Sequence, residues 1–142
     1  MTVASYTLLL AAQVLLVSWT PQGYEEAYTK SMESGKPFLI LVGADWCGAC
    51  QVMKKRVMPE LHREGVFDDL YCAEVDLDKD SHLKKQIARV RTIPCLILYT
   101  KTGDKWHRSY LTGMQNGKSI QAFLDKHAAN SIASRSNKKS SK

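Results

Sequence analysis

The pentapeptide Trp46-Cys47-Gly48-Ala49-Cys50, reached from the apolar run Phe38-Leu39-Ile40-Leu41-Val42 across three residues, constrains this chain more than any other feature. Two cysteines two residues apart, on the turn where a buried strand hands over to a helix, form a pair that can cycle between dithiol and disulfide. If the helix starts at or just before Cys47, the unpaired N–H groups of its first turn and its positive dipole end face the Cys47 sulfur and favour thiolate over thiol. The thiolate is the nucleophile of disulfide exchange. Cys50 lies almost one turn further along the same side, within reach of a mixed disulfide formed on Cys47. Cys47 is therefore the candidate attacking residue and Cys50 the resolving one.

The same spacing also supplies half of a zinc site, which needs four ligands, usually from a second such pair or two closely spaced histidines. Here Cys72 and Cys95 stand alone, and His62, His82, His107 and His127 are scattered singly. Ligand counting favours a redox pair over a metal centre or an inert buried pair.

Thr92-Ile93-Pro94 precedes a second apolar run, Cys95-Leu96-Ile97-Leu98-Tyr99, so a proline stands at the start of a strand, where its missing N–H does least harm. An ordinary strand-edge proline would fit that pattern. Taken with the cysteine motif upstream, the chain resembles the thioredoxin superfamily over roughly residues 19 to 127. The resemblance implies a single α/β domain of thioredoxin fold, a mixed β-sheet with helices on both faces. It implies a cis Ile93–Pro94 bond packed beside the redox pair, although X-Pro bonds in folded proteins are otherwise mostly trans. It also implies a protein-disulfide oxidoreductase in which Cys47 and Cys50 are catalytic. Trp46, Gly48, Ala49, Ile93 and Pro94 would then shape the site and meet the substrate, with simple packing the alternative for Trp46.

Hydrophobic periodicity gives an element order that agrees. Gly23 to Ser34 reads as a helix, stopped by Gly35-Lys36-Pro37 ahead of the strand Phe38 to Val42. Cys47 to Val57 reads as the redox helix, interrupted at Pro59, with a further helical turn over Glu60 to Glu64. A strand at Tyr71 to Val75, a helix at Ser81 to Arg89 and the strand Cys95 to Tyr99 follow. A turn at Lys101 to Asp104, a strand at Lys105 to Leu111 and a helix at Ser119 to His127 complete the domain.

Departures from the family bear on mechanism. Thioredoxins carry a buried aspartate six residues before the first cysteine, where it helps move the proton of the second; this chain has Leu41. Glu74 falls where thioredoxins place a lysine on the neighbouring strand, which makes it the candidate proton-transfer group, with a solvated strand glutamate as the alternative. Gly48-Ala49 replaces Gly-Pro and lacks the histidine of strongly oxidising relatives. Without an imidazolium beside Cys47, a reductant or mid-potential exchanger is expected. Asp45 would oppose thiolate formation if turned inward and is expected to face water. Cys95, where relatives carry threonine, is either a second redox group or a small buried hydrophobe; Cys72 reads as the latter.

The chain's 142 residues, 44% of them hydrophobic, suit one core. There is no Gly-rich phosphate loop, nucleotide fingerprint or internal repeat. Residues 1–18 read as an export signal or short membrane anchor, because Val3 to Trp19 is almost continuously apolar and uncharged, at the lower length limit for spanning. No basic residue precedes that segment and no good cleavage site follows it. An exported location, periplasmic or membrane-anchored, is expected, with a cytoplasmic chain whose N-terminus packs on the domain as the alternative. Residues 19–128 form the thioredoxin-like domain and include Trp19. Residues 129–142 are rich in Ser, Asn and Lys, and Arg135, Lys138, Lys139 and Lys142 carry +4 of the formal +6. A disordered tail is expected, and nucleic-acid binding is not needed to explain it.

The chemistry requires no bound cofactor, because the electrons reside in the Cys47–Cys50 pair. Its partners would be protein thiols and disulfides, together with a reductase, oxidase or membrane electron carrier that resets the pair, and the chain reads as a monomer. The rival from another class is a non-enzymatic binding module with a structural disulfide.

Overall fold

β1 (Phe38–Gly43) is the axis of the molecule, and all six of its residues are buried. It pairs in parallel with β2 (Tyr71–Asp76) on one side and antiparallel with β3 (Cys95–Thr102) on the other. β4 (Lys105–Thr112) adds antiparallel to β3, giving a mixed sheet of order β2-β1-β3-β4. The computed structural model describes residues 19–87 and 89–140. The apolar segment at 1–18 and its expected export or anchor role lie outside the described residues.

A strand buried along its whole length needs cover on both faces. Alternation sends Leu39 and Leu41 to one face, where Met53, Met58, Leu61, Ile120 and Leu124 from the helices pack on them. Phe38, Ile40 and Val42 go to the other, against Ala27 of α1 (Tyr24–Ser34) and Ala73, Val75 and Ile97 of the sheet. Each fully buried Leu, Ile or Phe contributes about 1.5–3 kcal/mol, so this one strand anchors two half-cores. α1 stops at Gly35, whose left-handed φ of 72° lets its N–H reach Ser31 O at 2.8 Å. Ser31 Oγ donates to Lys36 O at 2.7 Å, and the chain turns through Pro37 into β1. Trp19 packs against the first half-core.

Three elements differ from expectation. Residues 48–63 form one uninterrupted helical stretch: α2 (Gly48–Val52), a π turn (Met53–Val57) and α3 (Met58–Arg63). Pro59 has no N–H to bond back to Lys55, and its ring crowds that carbonyl. The wider turn, closed by Met58 N–H to Met53 O, opens the ladder where the proline would otherwise break it.

The helix expected over Ser81 to Arg89 is a single 3-10 turn, Ser81–Leu83, followed by further tight turns. Its bonds run mostly from residue i to i−3, as in Leu83 N to Asp80 O and Gln86 N to Leu83 O. β2 ends at Asp76 and β3 begins at Cys95 at the same end of the sheet, since Gly43 registers with Asp76 and Val42 with Cys95. The connection must therefore fold back, and tight turns do so while burying Leu83 and Ile87.

The tail expected to be disordered from 129 onward instead continues α4 (Gly117–Ser140). Asn116 caps its start, accepting from Ser119 N–H at 2.9 Å. No glycine or proline follows Gly117 to stop the helix, and alanines, lysines and an arginine favour it. Among the described residues no helix is long and apolar enough to cross a membrane.

Candidate active site

Cys47 is the N-cap of α2, in extended conformation, and its sulfur accepts the Cys50 N–H at 3.2 Å. Its carbonyl accepts Gln51 N–H at 3.1 Å, and its own N–H donates to Ala44 O at 3.1 Å. The β1–α2 turn thus holds the sulfur at the amide end of a helix, where a developing thiolate finds a hydrogen-bond donor and the dipole's positive end. Cys47 and Cys50 are joined as a disulfide, with Cα atoms 5.2 Å apart, so the structure is the oxidised form. Cys47 is partly exposed while Cys50 is 4% exposed, an asymmetry that leaves the first sulfur open to a partner and the second shielded.

Cys50 is seated on Gly43. A side chain there would place its Cβ 3.0 Å from Cys50 Cβ and 3.1 Å from Cys50 Sγ. Glycine lets the disulfide sit directly on the strand, where any larger residue would press on Cys50, a fit hidden in a sequence where Gly43 looks like ordinary strand-end punctuation.

The Ile93–Pro94 peptide bond is cis, and Pro94 is buried. Pro94 O accepts Gly113 N–H at 2.8 Å. The next residue, Cys95, registers with Val42, the residue before Gly43, so the proline and the redox turn share one end of the sheet. Around them Trp46 is 73% exposed and Met114, next to Gly113, is 49% exposed. Ile93 and Ala49 are partly exposed, and Gly48 is open to solvent. Met114 is a residue that sequence reading missed; the register of Thr112 with Cys95 and the Gly113–Pro94 bond bring this loop to the redox end.

Trp46 Nε1 donates to Asp78 Oδ2 at 2.8 Å. Asp45 is exposed to water, as expected, and ion-paired with Lys79, and its N–H donates to Asp76 Oδ2 at 3.1 Å. Burial pushes the Asp76 carboxyl up, but the N–H donors of Asp78, Lys79 and Asp45 and the Lys79 charge together outweigh it and hold it below its ordinary value.

Glu74 is no freely solvated strand residue. It registers with Leu41, its side chain is 19% exposed, and its Oε2 accepts from Lys54 Nζ at 2.8 Å. A cavity of about 200 Å³ is lined by Leu41, Gly43, Cys50, Lys54 and Glu74, among others, and so joins the acid to the resolving cysteine. Lys54 had no place in the sequence reading, although its position four residues after Cys50 puts both on one helix face.

Cys95 is buried with Phe38 and Ile40 on the α1 side of the sheet, whereas Cys50 packs over Gly43 on the opposite side. Cys95 thus sits as a buried side chain in the core on the sheet face away from Cys50. Burial pushes its thiol to about 11 and that of Cys72 to about 12. Among the described residues no group of three or more His, Cys, Asp or Glu side chains could hold a metal ion.

A family profile described as Thioredoxin matches residues 17–126. The thioredoxin of Acidithiobacillus ferridurans is 31% identical over 97 residues, covering 68% of this chain and 84% of that protein. The thiol:disulfide interchange protein DsbD of Pasteurella multocida (strain Pm70) is 26% identical over 86 residues. That match covers 58% of this chain, which spans only 15% of the length of DsbD. Among solved structures, a thioredoxin from Thermus thermophilus superposes with a TM-score of 0.64 at 18% identity, covering 77% of this chain and 86% of that one. At that identity the likeness concerns the fold.

Proposed function

Because the chain belongs to the thioredoxin family, and so to a class of thiol–disulfide oxidoreductases, we propose that it exchanges disulfides with protein substrates as a reductant or mid-potential exchanger. Reduced Cys47 attacks a substrate disulfide, a mixed disulfide forms, and Cys50 attacks Cys47 to release the reduced substrate. The observation that carries this reading is the partly exposed Cys47 sulfur at a helix start, hydrogen-bonded by the Cys50 amide and joined to a shielded Cys50. Trp46, Ile93 and Met114 offer the apolar rim on which a substrate peptide lies, with buried Pro94 shaping it from beneath, and the exposed Gly48 and partly exposed Ala49 let the peptide approach the sulfur. Electrons reside in the pair without a bound cofactor, and a reductase or membrane electron carrier resets it. Residues 3 to 19 direct the chain to an exported or membrane-tethered location, which a reporter fused behind residues 1–18 would reveal by its accessibility.

Equilibration with glutathione tests the redox reading, with Cys50→Ser run alongside to trap mixed disulfides. The expected result is a potential near the thioredoxin value of about −270 mV, or up to about −200 mV for a mid-potential exchanger, together with trapping. A pair that stays oxidised below about −300 mV and traps nothing overturns the reading in favour of a binding module with a structural disulfide.

A further inference from the structure

Leu41 stands where the family's aspartate would serve the resolving cysteine, yet Cys50 must still lose a proton before it can attack. The cavity beside Cys50 holds one carboxylate placed to take that proton. Glu74 reaches it from β2 with 19% of its side chain exposed, and one of its oxygens, Oε1, is buried without a protein hydrogen-bond partner among the described residues. The other oxygen is held by Lys54 Nζ at 2.8 Å. A carboxylate with one oxygen fixed and one free, beside a space of about 200 Å³ that also touches Cys50, has the geometry of a proton acceptor reached through water.

We propose that Glu74 accepts the Cys50 proton through water in this cavity and that Lys54 is the positioning residue that fixes the carboxylate. The assignment deepens the oxidoreductase reading and rests on it. In the resolving step the Cys50 S–H bond breaks and its proton passes by way of water to Glu74. The Cys50 thiolate attacks Cys47 Sγ, the Cys47–Cys50 bond forms, and the bond from Cys47 to the substrate sulfur breaks. The substrate sulfur leaves as a thiolate and takes a proton from solvent, so two electrons pass from the cysteine pair to the substrate. In the reverse direction protonated Glu74 returns the proton to Cys50.

The charges facing this space come from every element around it. The helix supplies Lys54, the turn after β1 supplies Asp45, and β2 with its following loop supplies Asp76, Lys79 and Asp80. β1 contributes Leu41 and Gly43, with nothing to titrate. Asp45 and Lys79 neutralise each other, and Asp76 is engaged by backbone amides. Lys54 is thus the cation bonded to Glu74, and its removal leaves that carboxylate among acids.

Reaction of the reduced full-length protein with an aromatic disulfide that releases a coloured thiol separates the two steps between pH 5 and 9. The first release reports attack by Cys47, and the second, intramolecular release reports resolution by Cys50. In Glu74→Gln the second phase is expected to slow by roughly ten- to a hundred-fold, the low end of general-base effects, with the first phase retained as proof of folding. In Lys54→Met the second phase is expected to slow severalfold with the first retained, because the carboxylate loses the group that fixes it, and Lys54→Arg should restore it. A second phase with wild-type rate in Glu74→Gln and Lys54→Met overturns the assignment. Equal slowing of both phases also overturns it, by reducing the pair to a structural role. A wild-type protein that releases no coloured thiol would instead sink the oxidoreductase reading itself.

Discussion

Replacing Gly43 with alanine tests how closely the oxidised pair is seated on β1. The new Cβ would stand 3.0 Å from Cys50 Cβ and 3.1 Å from Cys50 Sγ, whereas carbon atoms rest at about 3.5–4.0 Å. A few tenths of an ångström must open, and both sides are held. Gly43 registers with Asp76 and accepts Leu77 N–H at 2.9 Å, while Cys50 is fixed by its helix and by the disulfide. Overpacking of this kind costs about 1–3 kcal/mol. Alanine's smaller backbone entropy loss offsets about 0.5–1 kcal/mol of that, leaving a net loss of about 0–2.5 kcal/mol in the oxidised protein, centred on about 1 kcal/mol. At about 3–5 °C per kcal/mol for a domain of this size, Tm should fall by roughly 3–5 °C at that centre.

Reduction frees Cys50 Sγ, though not its Cβ, to rotate off the intruding methyl, so the reduced protein should be spared the sulfur's share of the cost. If about 1 kcal/mol of the cost belongs to the disulfide form alone, the potential rises by about 20 mV. Thermal unfolding of both redox forms by circular dichroism, together with glutathione equilibration, measures both quantities. Equal losses of Tm in the two forms, with an unchanged potential, would refute the argument that the Cys50 sulfur bears the contact.

Phe38→Ala should cost about 3–5 kcal/mol by urea unfolding, because Phe38 is fully buried and its ring meets Tyr24, Tyr28 and Tyr99; a loss below about 1 kcal/mol would mean that those rings close over the gap. Trp46→Ala should change stability by under about 1 kcal/mol, since the ring is 73% exposed, yet should reduce mixed-disulfide trapping by Cys50→Ser severalfold. Unchanged trapping would remove Trp46 from the substrate surface. Burial holds the thiols of Cys95 and Cys72 up at about 11 and about 12. The Tyr24 hydroxyl is raised to about 12, by burial first and then by neighbouring Tyr99, Tyr28 and Glu25. These groups ionise earlier in the unfolded chain, so the stability they confer is complete below about pH 8.5 and is lost as pH rises toward about 11–12. The urea midpoint should therefore be lower at pH 10.5 than at pH 8, and a flat profile would refute that origin.

Local patterns made much of this molecule legible in its sequence. The run Phe38 to Val42 announces a strand buried on both faces, and Cys47 with Cys50 announces the site, because both signals lie within a few residues. What stayed hidden depends on pairs distant in the chain. Gly43 matters only because Cys50 folds back on it, and Glu74 and Lys54 meet only once β2 lies beside β1. Met114 joins the rim because β4 pairs with β3 up to Thr112 and Gly113 bonds to Pro94 O. The segment after Asp80 has a helical pattern of apolar residues, yet the return path from Asp76 to Cys95 imposes tight turns. The basic C-terminal stretch has a tail's composition but contains nothing that ends a helix already begun at Gly117.

The π turn also bears on how the chain's length could change. Met53 and Met58 are both buried although five residues separate them. At about 100° per residue an α-helix would set them roughly 140° apart, one inward and one toward solvent. The widened turn absorbs one surplus residue and returns Met58 to the same azimuth. A chain one residue shorter between Met53 and Met58 would close into ordinary α-helix with both methionines still facing inward. The same deletion on the far side of Pro59 would swing Leu61 about 100° out of the core. The helix that carries the redox pair therefore has one point of slack, sited at the turn that holds Lys54 opposite Glu74.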